Sequence, residues 1–226
     1  GRGLICLALT TKKVKKLNLP LMSSINKSRN QTAFTVSIES RKGITTGISA
    51  HDRAKTIRVA INPITNKKDI VSPGHVFPLV AKDGGVLERA GHTEASIDIS
   101  RLAKLNPSAV ICEVMNEDGT MARYKDLVLF AKKHKLKIAK IEDLISYRLK
   151  NEKYIKNISN KKINIKKYGV FDLIKFKNTL DGSEHYAITR GKFSPYKATR
   201  VRVISTNIIN NFFNFNKNLF KKSFKN

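Results

Sequence analysis

The hydrophobic pattern changes period several times along the chain. Gly3–Leu9 is a compact apolar run that predicts a buried strand. Thr32–Glu39 alternates, with Phe34, Val36 and Ile38 on one face and Thr35, Ser37 and Glu39 on the other. Ile44–Ser49 holds a Thr-Thr-Gly turn or strand end, and Thr56–Ile61 predicts another short strand. Thr93–Leu105 has helical spacing, with Ala95, Ile99, Leu102 and Ala103 on one stripe. Ala109–Val114 predicts a buried strand ended by the turn Asn116-Glu117-Asp118-Gly119. Helix, strand and helix follow at Lys125–His134, Leu136–Ile141 and Glu142–Leu149. Residues 1–150 thus form one domain of alternating signals. Residues 151–162, rich in lysine and asparagine, predict a linker. Strand-like runs at Val170–Phe176, His185–Thr189 and Thr199–Ser205 make 163–206 the start of a β-rich unit. Residues 207–226 read as an irregular tail of asparagine, phenylalanine and lysine, and no internal repeat is visible.

Composition narrows the class. Hydrophobic residues make up 41% of the 226, which supports a real core and argues against global disorder. No apolar run approaches the roughly 18–20 residues that span a bilayer. The chain begins at Gly1, so the absence of a signal peptide carries little weight. The two cysteines, Cys6 and Cys112, lie inside apolar runs and read as reduced, buried thiols of a cytoplasmic protein. Two thiols cannot build a three- or four-thiolate zinc site. Lysine and arginine exceed acidic residues by 44 − 17 = +27. Two readings of that charge stand side by side: compositional drift with solvated lysines, and real affinity for polyanions.

Several residues could carry chemistry. Arg89-Ala90-Gly91-His92-Thr93-Glu94 opens the predicted helix. A glycine there lets backbone N–H groups approach an anion, and the helix N-terminus adds partial positive charge. Arg89 offers a planar fork and Thr93 a hydroxyl, so the segment reads as a phosphate cradle or as an ordinary helix start with a surface arginine. His75 lies between two prolines in Pro73-Gly74-His75-Val76-Phe77-Pro78, either a held imidazole or a packed loop corner. Glu113 ends an apolar run. It reads as a buried carboxylate, either matched to Arg89 or Arg123 or kept as an acid/base group of raised pKa. Thr45-Thr46-Gly47 and Asp52-Arg53 are ordinary turn chemistry, and Gly84-Gly85 reads as a hairpin turn.

Taken in order, the motifs resemble 3,4-dihydroxy-2-butanone 4-phosphate synthase, a family of riboflavin biosynthesis. The carrying stretches begin with Gly3-Leu4-Ile5-Cys6, Thr32-Ala33-Phe34-Thr35-Val36 and Gly43-Ile44-Thr45-Thr46-Gly47-Ile48-Ser49-Ala50-His51-Asp52-Arg53. They continue with Pro73–Leu79, Gly84–Ala95, Cys112-Glu113 and Asp118–Arg123. The resemblance implies an α+β fold, a mixed sheet layered with helices, followed here by a partial β-rich segment. It implies conversion of D-ribulose 5-phosphate to 3,4-dihydroxy-2-butanone 4-phosphate and formate, with Mg²⁺ or Mn²⁺ as Lewis acid. By the family pattern Arg89, Ala90, Gly91, His92 and Thr93 grip the substrate, with Arg89 and Thr93 favoured for its phosphate. His92 is the metal ligand, and His75 and Glu113 are the proton-transfer groups. Glu113, Cys6 and Thr46 also line the pocket. Similar enzymes are homodimers with active sites at the subunit interface, so His75 is expected to serve the neighbouring site. One departure is an acidic stretch that the family carries upstream of Gly-Leu-Ile-Cys, where it supplies a glutamate ligand. This chain starts at Gly1, so the expectation is an incomplete or inactive chain. A second departure is His51, where alanine is usual.

Residues 163–203 resemble the start of GTP cyclohydrolase II through Tyr168-Gly169, Asp181-Gly182-Ser183-Glu184-His185 and Val201-Arg202-Val203. That family continues into a zinc-binding cysteine cluster. No cysteine follows Cys112 here, so no cyclohydrolase activity is expected. The competing expectations are a non-catalytic protein that kept the fold and a basic nucleic-acid binder.

Overall fold

The computed structural model describes residues 3–27, 31–166, 168–194 and 196–204. The chain divides into two units, Gly1–Lys153 and Tyr154–Asn226.

The first unit is organised by β1 (Cys6–Thr10), whose apolar run is buried on both faces. Four strands lie in the order β2-β3-β1-β4. The partners are β2 (Ile38–Ser40), β3 (Ile70–Ala81) and β4 (Ser108–Ile111). β1 runs parallel to β3, with Cys6 opposite Phe77, and antiparallel to β4, with Cys6 opposite Ile111. β2 is antiparallel to β3. The sheet is therefore mixed, as the resemblance implies.

Alternation along β1 assigns its faces. Leu7 and Leu9 pack with Val14 and Leu17 of α1 (Thr11–Leu17), Ala60 of α2 (Ala50–Ile61), and Ile38, Ile70 and Val76. Ala8 points the other way and packs with Ala81 and with Ile97 of α3 (His92–Leu102). Helices thus cover both faces of the sheet. α4 (Tyr124–His134) and α5 (Ile141–Asn151) complete the unit. Arg148 of α5 ties elements together, donating to Asp98 Oδ2 at 2.7 Å, to the Gly84 carbonyl at 2.9 Å and to Glu152 at 2.8 Å.

Several sequence expectations are corrected. Thr56–Ile61 is helical, not a strand. Ser49 caps α2 by accepting from the Asp52 N–H, and Thr56 and Ala60 fall on the helix's buried side. α1 goes unmarked in the pattern because it is only seven residues long. The Pro73–Pro78 segment lies within β3. Gly84-Gly85 opens a short 3-10 turn (Gly85–Leu87) in place of a hairpin. Leu136–Ile141 pairs with no strand.

The second unit is an antiparallel sheet of β5 (Ile155–Ile165), β6 (Gly169–Asn178) and β7 (Glu184–Thr189), in that order. Most of the expected 151–162 linker is therefore strand, because backbone pairing to β6 supplies what its polar side chains do not. Residues 199–204 have no regular structure, and the rest of that expected strand and the 207–226 tail lie outside the described residues. No helix among the described residues is long and apolar enough to cross a membrane.

Candidate active site

The helix that the sequence opens at this segment is present, as α3. Gly91 precedes α3 in extended conformation, and no side chain caps the helix. Its first amides are therefore left for an anion. His92 and Ala90 are exposed there, whereas Thr93 is buried. Arg89 is not a free fork. Its Nη1 donates to Glu94 Oε2 at 2.6 Å and its Nη2 to Thr32 Oγ1 at 3.3 Å. Glu94 is buried, and its other oxygen accepts from the Lys82 N–H at 3.1 Å. A Cβ at Gly91 would come within 2.1 Å of Arg89 Nη1. Glycine is thus required for the Arg89–Glu94 pair to run beneath the helix start.

Glu113 corrects the sequence reading. β4 ends at Ile111, and Glu113 is exposed just beyond it, with Oε2 accepting from the Leu4 N–H at 3.1 Å. Arg89 is bonded to Glu94 instead of Glu113. A shallow cavity of about 550 Å³ is lined by Gly3, Leu4, Glu113, Met115 and Met121. Cys6 is buried beside this edge. Burial, with Glu113 and Cys112 nearby, pushes its thiol up to about 11. Both cysteines are free.

His75 lies on β3 two residues before Phe77, and Glu113 lies two residues after Ile111. Phe77 and Ile111 both face Cys6, so the ladder brings His75 and Glu113 to one end of the sheet. The Arg89–Glu94 cradle is anchored at the other end of β3, through Lys82. Six residue steps of strand, from His75 to Ala81, lie between, about 20 Å. Thr46 is exposed in the loop before α2.

Comparison with known proteins decides the ancestry. Residues 1–147 match the family model for 3,4-dihydroxy-2-butanone 4-phosphate synthase. The chain belongs to that family. Residues 156–225 match the model for GTP cyclohydrolase II. The 3,4-dihydroxy-2-butanone 4-phosphate synthase of Photobacterium phosphoreum is 51% identical over 203 residues, covering 90% of this chain and 56% of its own. The riboflavin biosynthesis protein RibBA of Synechocystis sp. is 52% identical, covering 90% and 37%. The chain spans about half the length, or less, of the curated relatives it matches. Among solved structures, RibBX, a two-domain synthase from A. baumannii, superposes with a TM-score of 0.73 at 47% identity, covering 84% of this chain and 56% of that one. A synthase structure in complex with two magnesium ions superposes at 0.63 with 41% identity, covering 66% and 75%.

Within this synthase fold one residue stands out that the sequence reading did not single out. Glu39 of β2 contacts His75 Nδ1, and both side chains are partly buried. The alternation of Thr32–Glu39 had placed Glu39 on the polar face, which was the only signal available. Cation ligands are sparser. Among the described residues no three His, Cys, Asp or Glu side chains converge on a point that could hold a metal ion. His92 is exposed at the helix start, and the adjacent Glu94 is turned inward to Arg89. The described residues therefore do not by themselves build a divalent-cation site.

Proposed function

We propose that the protein carrying this chain converts D-ribulose 5-phosphate to 3,4-dihydroxy-2-butanone 4-phosphate and formate. The match of residues 1–147 to the synthase family carries this reading. The uncapped start of α3 supports a phosphate subsite at Arg89, Ala90, Gly91, His92 and Thr93. Arg89 acts there through its bond to Glu94, which holds the helix start in place. His75 and Glu113 are the proton-transfer groups, each exposed enough to meet a substrate. Such a reaction removes a proton beside a carbonyl and later returns one, which needs an acid and a base on different sides of the sugar. Cys6 and Thr46 are assigned to the lining of the pocket. Cys6 is a neutral wall at physiological pH, because burial holds its thiol protonated.

The cation is Mg²⁺ or Mn²⁺, and His92 is the ligand this chain offers it. When bound, the cation polarises neighbouring oxygens.

Two copies share each active site. About 20 Å of β3 lies between His75 and the Lys82 anchor of the cradle, and Glu113 lies at the His75 end, so one small substrate meets these groups and a cradle together only if a neighbour supplies one end. The protein acts in the cytoplasm.

A second reading, a fold-retaining protein without catalysis, is favoured because among the described residues no three His, Cys, Asp or Glu side chains converge. One assay separates the two. The intact protein, given ribulose 5-phosphate and Mg²⁺, should release formate. His92→Ala and Glu113→Ala should each lower turnover ~10²-fold or more. Mixing inactive His75→Ala and His92→Ala chains should recover part of the activity through hybrid dimers. No formate from the intact protein would leave the second reading standing.

A further inference from the structure

β2 and β3 do not pair evenly. Ile38 lies opposite Val76, but the next residue, Glu39, lies opposite Val71. Residues 72–75 are thus extra on β3 and bulge from the ladder, with His75 at the end of the bulge. Bulges beside active sites commonly re-aim a side chain. This one is tied down by two hydrogen bonds to Ser37. The Ser72 hydroxyl donates to the Ser37 carbonyl at 2.7 Å, and the Gly74 N–H donates to Ser37 Oγ at 3.1 Å.

Glu39 reaches His75 Nδ1 from β2. A carboxylate only accepts hydrogen bonds, so Nδ1 carries the proton and Nε2 is left with its lone pair. A third element closes over the pair. Gly47 has φ +86°, and a Cβ there would come within 1.7 Å of Glu39 Oε1 and 2.8 Å of His75 Nδ1. The Gly47 turn is itself fixed. Its N–H donates to Asp52 Oδ2 at 3.0 Å, and Thr45 Oγ1 donates to the same oxygen at 2.8 Å. Those bonds, the Thr45 hydroxyl foremost, hold the Asp52 carboxyl below the usual carboxylate range. The Asp52 charge is thus already engaged by the turn, and among the described residues it is Glu39 that forms an ion pair with His75.

We propose that Glu39 is a positioning residue for His75. It fixes the ring's tautomer and orientation so that Nε2 moves the proton, and it balances the charge when Nε2 gains one. This rests on the role given to His75 above, but its structural half can be tested without turnover.

The intact protein would be labelled with ¹⁵N-histidine and the His75 ring assigned by loss of its signals in His75→Gln. At alkaline pH, where the imidazole is neutral, wild-type His75 should show the Nδ1–H form. In Glu39→Gln the amide can offer a donor to Nδ1, and that form should be lost in part or entirely. Formate release should fall ~10²-fold in kcat, with KM within about threefold, because the substrate grip lies elsewhere. Glu39→Asp, which keeps the charge, should retain the Nδ1–H form and recover part of kcat. Retention of the Nδ1–H form in Glu39→Gln would overturn the proposal, as would a changed tautomer with unchanged kcat. If wild-type protein releases no formate, the reaction assignment fails, and the tautomer comparison alone decides whether Glu39 positions the ring.

Discussion

The two units solve the same problem, a sheet in water, in different ways. In the first, helices cover both faces, and every buried residue among those described lies between Cys6 and Arg148. In the second, all described residues of β5, β6 and β7 are at least partly exposed. The polar groups divide likewise. Asp52, Glu94, Asp98 and Arg148 are buried and bonded in the first unit. The Lys175–Glu184 pair and the Ser183–His185 contact of the second are exposed to water. A side chain is held to catalytic precision only when packing and a supporting shell lock its rotamer. The first unit has that shell around Arg89 and His75, and the described part of the second does not.

The sharpest way to break this comparison is to strip a buried partner. Arg148→Met takes the nearer cation from Asp98, whose side chain is 1% exposed, and leaves it the Val86 N–H and the longer 3.8 Å pair with Arg101. A loss of about 3–5 kcal/mol is expected by urea denaturation. A loss under ~1 kcal/mol would mean the first unit is not held by these buried ties.

Next come paired core deletions. Leu7→Ala, at a fully buried position, should cost about 2–5 kcal/mol through lost transfer energy and the cavity left behind. Ile174→Ala, on a partly exposed strand of the second unit, should cost about 1 kcal/mol or less. Equal losses would erase the distinction.

The smallest effect is a pH dependence. Cys6 has its thiol raised from 9.0 to about 11 by burial first and by Glu113 and Cys112 second. A raised thiol means the folded state disfavours the thiolate. Its contribution to stability is therefore intact below pH 9 and declines as pH rises toward 11. Iodoacetamide should leave Cys6 unmodified in native protein at pH 8 and label it in urea. Rapid native labelling at pH 8 would contradict the assigned burial.

These contrasts also show what the sequence could reveal. β1, α3, α4, α5, β6 and β7 were legible because each carries a periodic apolar pattern of ordinary length. Thr56–Ile61 misled because Thr56, Ile57, Val59 and Ile61 are β-branched, and the cap that decides the matter, Ser49 to Asp52, lies upstream. β5 was invisible because its side chains are mostly exposed and its strand character comes from pairing. The start of α3 at Gly91 could be read. The bond that turns Arg89 toward Glu94 could not, nor could the one between Glu39 and His75, since each depends on how the chain folds back. Glu113 was misread because an apolar run does not say where its strand stops.

The parallel pairing of β1 with β3 has a consequence in time. Cys6 must meet Phe77, and its other partner, Ile111, lies further along the chain. During synthesis, β1 has no partner until the whole stretch through Ala81 has emerged, and β4 joins later still. Such distant contacts slow folding, since a long loop must close before any of them is made. The second unit has no such wait. Ile165 pairs with Gly169 and Lys177 with Glu184 across tight turns. The unit built to hold a site is the slower to assemble, and its β1 edges stay open longest to unwanted pairing.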